Sequence, residues 1–169
     1  MFSRKNSQYV EPLHLDDYDL RLCPSLQSRM VVCKAKTGVH RFLSVAIYGY
    51  HSEGLSEHNI ALLHAVTLLN HVVGLPMVLG GDSNLTRGEI TESGLLCNCH
   101  LNFLSSDGVT CLEGGGRCID NFLASAKICC YAHESRISTV CFYPHLVSTV
   151  TIPIRFERCT TMKQRVPRV

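Results

Sequence analysis

The sequence predicts an α/β fold in which a β-sheet is covered by helices. Three observations lead there. A long amphipathic segment at residues 57–73 is flanked on both sides by short apolar runs, giving the order strand, helix, strand. The composition, 46% hydrophobic and 18% charged over 169 residues, is that of a globular chain able to bury one core. The apolar runs end in turn chemistry, most clearly in VLGGDSN at 78–84.

Residues 1–29 are polar, with Asp16, Asp17 and Asp19 clustered and Pro12 and Pro24 interrupting, so an irregular segment is expected. A domain is expected over 30–154, followed by a basic tail over 155–169. From Met30, MVVCKAK has strand character, TG is a turn, and RFLSVAIYGY is a second strand paired to the first as a hairpin. The helix follows from Glu57 to Val73. Ile60, Leu63, Ala65, Val66, Leu69, Val72 and Val73 recur at helical spacing, Ser56 stands as N-cap, and Gly74 with Pro76 beyond it stops the run. A strand then leads into GGDSN. Period-two geometry places Asp82 and Asn84 on one face with Ser83 opposite, while an Asx-type turn would need no ligand at all. TRGEITESGLLCN allows one or two short helices, IDNFLAS a buried strand starting at Asp120, and Ser138–Phe142 and Val147–Ile154 two more strands.

Several functional classes are disfavoured at once. No apolar run approaches the ~18 residues needed to span a bilayer, and the first residues lack a secretory apolar core, so a soluble intracellular protein, nuclear or cytoplasmic, is expected. A net charge of +2 does not by itself argue for nucleic acid, although the tail carries Arg155, Arg158, Lys163, Arg165 and Arg168 against Glu157 alone. The ten cysteines are expected as free thiols. Cys97, Cys99 and His100, with Cys111 or Cys118, offer soft ligands for zinc. Their C-x-C-H spacing lacks paired C-x-x-C knuckles, and packing thiols are the plainer expectation.

In order, an aromatic-ended strand (SVAIYGY), a long helix, GGDSN, IDNFLAS and YPHLVSTVTI resemble the endonuclease/exonuclease/phosphatase superfamily. Its members include abasic-site endonucleases, deoxyribonuclease I-like enzymes, inositol polyphosphate phosphatases and the endonuclease domains of non-LTR retrotransposons. The resemblance implies part of a four-layer α-β-β-α sandwich with two facing mixed sheets, the first strands missing. It also implies a magnesium- or manganese-dependent phosphodiester hydrolase, nuclease-like, with nucleic acid as partner. Asp82 would orient and deprotonate the attacking water, and Asn84 would hold a phosphate oxygen or the nucleophile, both near the metal. Tyr48 and His145 would contact the phosphate, and Asp120 would fix the His145 imidazole.

Two departures from the family pattern predict weak metal binding. Tyr143-Pro144-His145 stands where the family has Ser-Asp-His, and the strand carrying the metal-binding glutamate has no counterpart beyond Glu11 in QYVEPL. Upstream sequence or a partner chain would then complete the domain. The alternative reading is a non-catalytic nucleic-acid- or phosphate-binding remnant, either a pseudoenzyme or a mobile-element fragment.

Overall fold

The computed structural model describes residues 8–15, 24–37, 40–51, 53–104, 108–130 and 134–152; the basic residues of the tail lie outside them. Six strands form one sheet in the order β1 (Gln8–Pro12), β2 (Met30–Thr37), β3 (His40–Ile47), β4 (Met77–Asp82), β6 (Asp120–Ser125) and β5 (Leu101–Phe103). The β3–β4 pair is parallel and the other pairs are antiparallel, so the sheet is mixed. Strands β7 (Glu134–Phe142) and β8 (His145–Thr151) form a second, antiparallel sheet of two strands. Residues 8–12, expected to be irregular, are instead the edge strand β1, whose backbone pairs with β2 from Gln8↔Thr37 to Pro12↔Cys33.

After the single turn α1 (Pro24–Gln27), helix α2 (Glu57–Val73) is the crossover between the parallel strands, which need a connection of this length. Ser56 accepts from the Asn59 N–H at its start, and Gly74 stops it with φ 65°. Its buried stripe is Asn59, Leu62, Leu63, Ala65, Val66 and Leu69. Val72, expected in the stripe, is exposed, because it falls at the stripe's margin in the last turn. The stripe packs on Leu43, Val45, Ile47, Met77, Leu79 and Leu123, forming the main core.

Strand alternation sends the neighbouring side chains to the other face. There Phe42, Val78, Phe122 and Ala124 share a smaller cluster with Val150 and Ile152 of the β8 segment, so the second sheet faces the first. The expected partial sandwich is thus present as helix layer, six-stranded mixed sheet and facing two-stranded sheet, the latter antiparallel and not mixed. α3 (Arg87–Glu92) carries a complete capping box between Thr86 and Glu89, and α4 (Leu95–Cys99) and α5 (Ala126–Cys129) are single turns beside the sheet. No helix among the described residues is long and apolar enough to cross a membrane.

Candidate active site

β4 ends in Gly80-Gly81-Asp82, and its last residue faces the first residue of β6 across the ladder, Asp82 opposite Asp120. The two strand ends are drawn close to β3. A Cβ on Gly81 would sit 2.1 Å from the Ile47 carbonyl oxygen, at a φ of 135°, and one on Gly49 would sit 1.8 Å from the Ser83 carbonyl oxygen. Only glycine allows these approaches. Gly49 N–H donates to the Asp82 carbonyl at 2.8 Å, and Ser83 turns its buried hydroxyl inward to the Ile119 carbonyl, also at 2.8 Å.

Thr110 joins the second sheet to this corner. Its hydroxyl accepts from the N–H groups of Ile119 and Asp120, each at 3.0 Å, and its carbonyl accepts from Leu146 N–H at 2.7 Å. Leu112 N–H donates to the Pro144 carbonyl at 2.9 Å, fixing the β7–β8 turn. His145, the first residue of β8, is thereby set over the carboxylates. Its Nδ1 lies 3.0 Å from Asp120 Oδ2 and its Nε2 lies 3.7 Å from Asp82 Oδ2. The first is a charge-assisted hydrogen bond; the second is too long for one. A crevice of about 260 Å³ between the sheets, lined by Gly81, Asp120, Phe122, His145 and residues 146–148, opens beside them.

Asn84 is 2% exposed and reaches Asp82 by a route that pleat geometry does not supply. β4 has already ended, and Asn84 adopts a left-handed φ of 53° with its N–H donating to Asp82 Oδ1 at 3.0 Å. That is an Asx-type turn, and it brings the two residues together. The Asn84 carboxamide is occupied: Nδ2 donates to the Gly49 carbonyl at 3.1 Å, and Oδ1 lies 3.3 Å from His51 Nδ1. Tyr48 directly follows β3, is 53% exposed, and stands one strand over from Asp82.

Burial, the largest influence, pushes the Asp82 carboxyl above its ordinary value. The Asn84 N–H pulls it down, Asp120 pushes it up again, and the imidazoles of His145 and His51 pull it down. The hydrogen bond to Asp120 raises His145 above its ordinary value, against a smaller opposing effect of burial. The corner therefore gathers two acidic side chains around one imidazole, which is hydrogen-bonded to Asp120 and approaches Asp82. Among the described residues, Asp82, Asp120 and His145 are the one group of acidic, histidine or cysteine side chains gathered closely enough to hold an ion, with ligand atoms within 4.8 Å of one another. The two carboxylates of this group suit a hard divalent cation that keeps its other positions for water and phosphate oxygens.

Two other candidate ligand sets do not come together. Glu11 pairs with Lys34, which lies level with the start of β4, and the strand spacings put it roughly 20 Å from Asp82. Cys97, Cys99, His100, Cys111 and Cys118 form no such group either. Cys99 is buried against Thr67 with Sγ 3.6 Å from its hydroxyl, and burial pushes its thiol up, away from the thiolate that zinc requires.

Sequence reasoning missed His51 and Arg117. His51 lies three residues past Tyr48 and holds the Asn84 carboxamide; Arg117, in the Gly-rich loop before β6, places Nη2 3.5 Å from the Asn84 carbonyl oxygen. Neither belongs to a periodic pattern, and only the fold brings them to Asn84.

The fold is similar to that of solved structures of the endonuclease/exonuclease/phosphatase superfamily. The endonuclease domain of TRAS1, a telomere-specific non-LTR retrotransposon, superposes with a TM-score of 0.63 at 14% identity, over 85% of this chain and 66% of that one. ANGEL2, a 2',3'-cyclic phosphatase, matches with a TM-score of 0.54 at 11% identity, over 89% and 60%. An endonuclease/exonuclease/phosphatase family protein from Bacteroides thetaiotaomicron matches with 0.50 at 13%, over 77% and 52%. The chain spans between half and two thirds of the length of these three structures. No family model and no curated protein matches the sequence.

Proposed function

We propose that this chain carries the phosphate-cleaving corner of a divalent-metal-dependent phosphodiesterase, nuclease-like, with nucleic acid as its substrate. The observation that carries the reading is the Asp82–His145–Asp120 array at the mouth of a crevice between two facing sheets. Mg²⁺ or Mn²⁺ held by the Asp82 and Asp120 carboxylates would neutralise charge on the phosphoryl oxygens. The chain's own groups supply the rest. Asp82, raised by burial, orients the attacking water and takes its proton as the new oxygen–phosphorus bond forms and the opposite ester bond breaks, the departing oxygen taking a proton from solvent. His145, kept cationic by Asp120, donates from Nε2 to a phosphate oxygen where charge develops. Gly49 and His51 fix Asn84, whose backbone N–H holds Asp82 in place. In the partners' chemistry, the nuclease branch is favoured over small phosphorylated substrates by the cationic and aromatic surface around Tyr48.

The test is Mg²⁺- or Mn²⁺-dependent cleavage of supercoiled plasmid, of abasic-site DNA and of a single-stranded oligonucleotide. Cleavage should be lost on chelation and in both Asp82→Ala and His145→Ala. A wild type no better than Asp82→Ala would end the hydrolase reading. In that event a binding remnant remains, and one observation favours it: Pro144 precedes His145 where the family places a carboxylate, while Glu11 lies far from the corner. That reading predicts salt-sensitive nucleic-acid binding without turnover.

A further inference from the structure

Beside the candidate active site, Tyr48 is gathered into an array with Arg29, Tyr50 and His58, three side chains that the chemistry of the corner does not use. The Arg29 guanidinium carbon lies 5.0 Å from the Tyr48 ring centroid and 4.1 Å from that of Tyr50. Tyr50 in turn stacks on His58, with ring centroids 5.0 Å apart and 27° between planes. The array is held in place from below. Arg29 Nη1 donates to the Gly49 carbonyl at 3.0 Å, the same oxygen that accepts from Asn84 Nδ2 at 3.1 Å, so one backbone atom serves both the array and the site. Buried Asn59 pins the loop by accepting from Tyr50 N–H at 2.8 Å and donating to the carbonyls of Tyr50 and Gly54. Glu53 Oε2 lies 3.0 Å from His58 Nδ1 and fixes its ring.

What lies on top is open. Tyr48 is 53% exposed at one end, and the His58 side chain is 67% exposed at the other. The exposed rings at the two ends of this cationic and aromatic stack match what nucleobases stack on, whatever their sequence. Bases inside a duplex have no free faces to offer, whereas unpaired bases do.

We propose that the Tyr48–Arg29–Tyr50–His58 array is a stacking platform for unpaired nucleobases next to the scissile phosphate, which makes single-stranded nucleic acid the substrate class of the site. The inference rests on the phosphodiesterase reading for its substrate but is tested by binding alone. Arg29 also supplies charge complementarity to the backbone, and Glu53 limits that charge at the His58 end.

The experiment is fluorescence anisotropy in chelator, so that cleavage plays no part, with three probes of equal length: a single-stranded oligothymidylate, the same sugar-phosphate backbone lacking bases, and a blunt duplex. The wild type should prefer the oligothymidylate to both others. Tyr50→Leu and His58→Ala should each weaken it about 10-fold, the scale of one lost base–aromatic stack, with little change for the baseless probe. Arg29→Lys, which keeps the charge without the plane, should fall with the ring variants. Far-UV circular dichroism with matching thermal transitions establishes that each variant is folded, and a variant that fails this is replaced by its conservative counterpart, Tyr50→Phe being expected to bind as wild type. Equal affinity for the baseless and base-bearing probes, preference for the duplex, or unchanged affinity in folded Tyr50→Leu and His58→Ala would each overturn the platform. Metal-dependent cleavage of plasmid alongside any of those results would leave the phosphodiesterase reading standing, so the two can fail separately.

Discussion

The two faces of the six-stranded sheet differ in how they are covered. The face beneath α2 is sealed: Leu43, Met77, Leu79 and Leu69 have no exposed surface. On the opposite face Val78 and Phe122 are only half-buried, under a two-stranded sheet, and at one end of that face Asp82 and Asp120 meet His145. Because a strand sends successive side chains to opposite faces, a single segment such as β4 contributes to both, with Leu79 toward the helix and Val78 toward the crevice. The sealed face supplies stability, and the half-covered face supplies access. A carboxylate pair and a cleft that admits a substrate need the second condition and would be costly under the first.

The comparison is most sharply tested within that one strand. Leu79→Ala should cost about 3 kcal/mol, as expected for a large side chain lost from a closed core, while its neighbour Val78→Ala should cost about 1 kcal/mol. Urea unfolding monitored by circular dichroism would measure both. Equal losses would mean the second face is packed as tightly as the first. Gly49→Ala comes next, at about 2 kcal/mol, because its Cβ must displace the Ser83 backbone at the β3–β4 junction. It should also disturb Asn84 and Asp82, so that divalent-ion binding read by titration calorimetry is lost with the stability. Retained binding would show that the corner does not depend on that close approach.

Asp82→Asn should act in the opposite sense on the two faces' roles. It relieves a buried carboxylate whose ionisation is disfavoured, so the fold should gain about 0.5 kcal/mol at neutral pH, as is common when a functional site is neutralised. Mn²⁺ binding should vanish. A destabilised variant would mean that Asp82 contributes more as a hydrogen-bond acceptor than it costs by burial. The smallest effect is on titration. His145 should ionise above its ordinary value of 6.5 in a proton NMR titration and move down toward it in Asp120→Asn. Since the folded chain holds protons more tightly than the unfolded one at both groups, stability falls as pH rises: from 3.8 upward through the folded value of Asp82, and from 6.5 upward through that of His145. A stability that rose with pH across the second range would contradict the Asp120 contact.

Much of the sealed face was legible in the sequence. Helix 57–73, with its Ser56 and Gly74 caps, was fixed by local periodicity and cap chemistry, both of which are written in consecutive residues. The hairpin of β2 and β3 was visible for the same reason. The candidate site was legible only as three separate signals, GGDSN, IDNFLAS and YPH, because the pairing of Asp82 with Asp120 and the hydrogen bond from His145 join residues as many as 38 and 25 positions apart. Its supporting parts were not legible at all. Asn84 meets Asp82 through a left-handed turn and not through strand alternation, and His51, Arg117 and Arg29 lie in loops with no periodic pattern to mark them.

By itself, then, the amino-acid sequence determined the helix, the strand alternation and the identity of the acidic and imidazole groups, because each follows from interactions between residues a few positions apart. Tertiary structure decided which of them meet. It put Glu11 at the far edge of the sheet, set His145 between two carboxylates, and tied the Arg29 array to Asn84 through one carbonyl oxygen, since those contacts depend on how strands are ordered and how closely their ends approach.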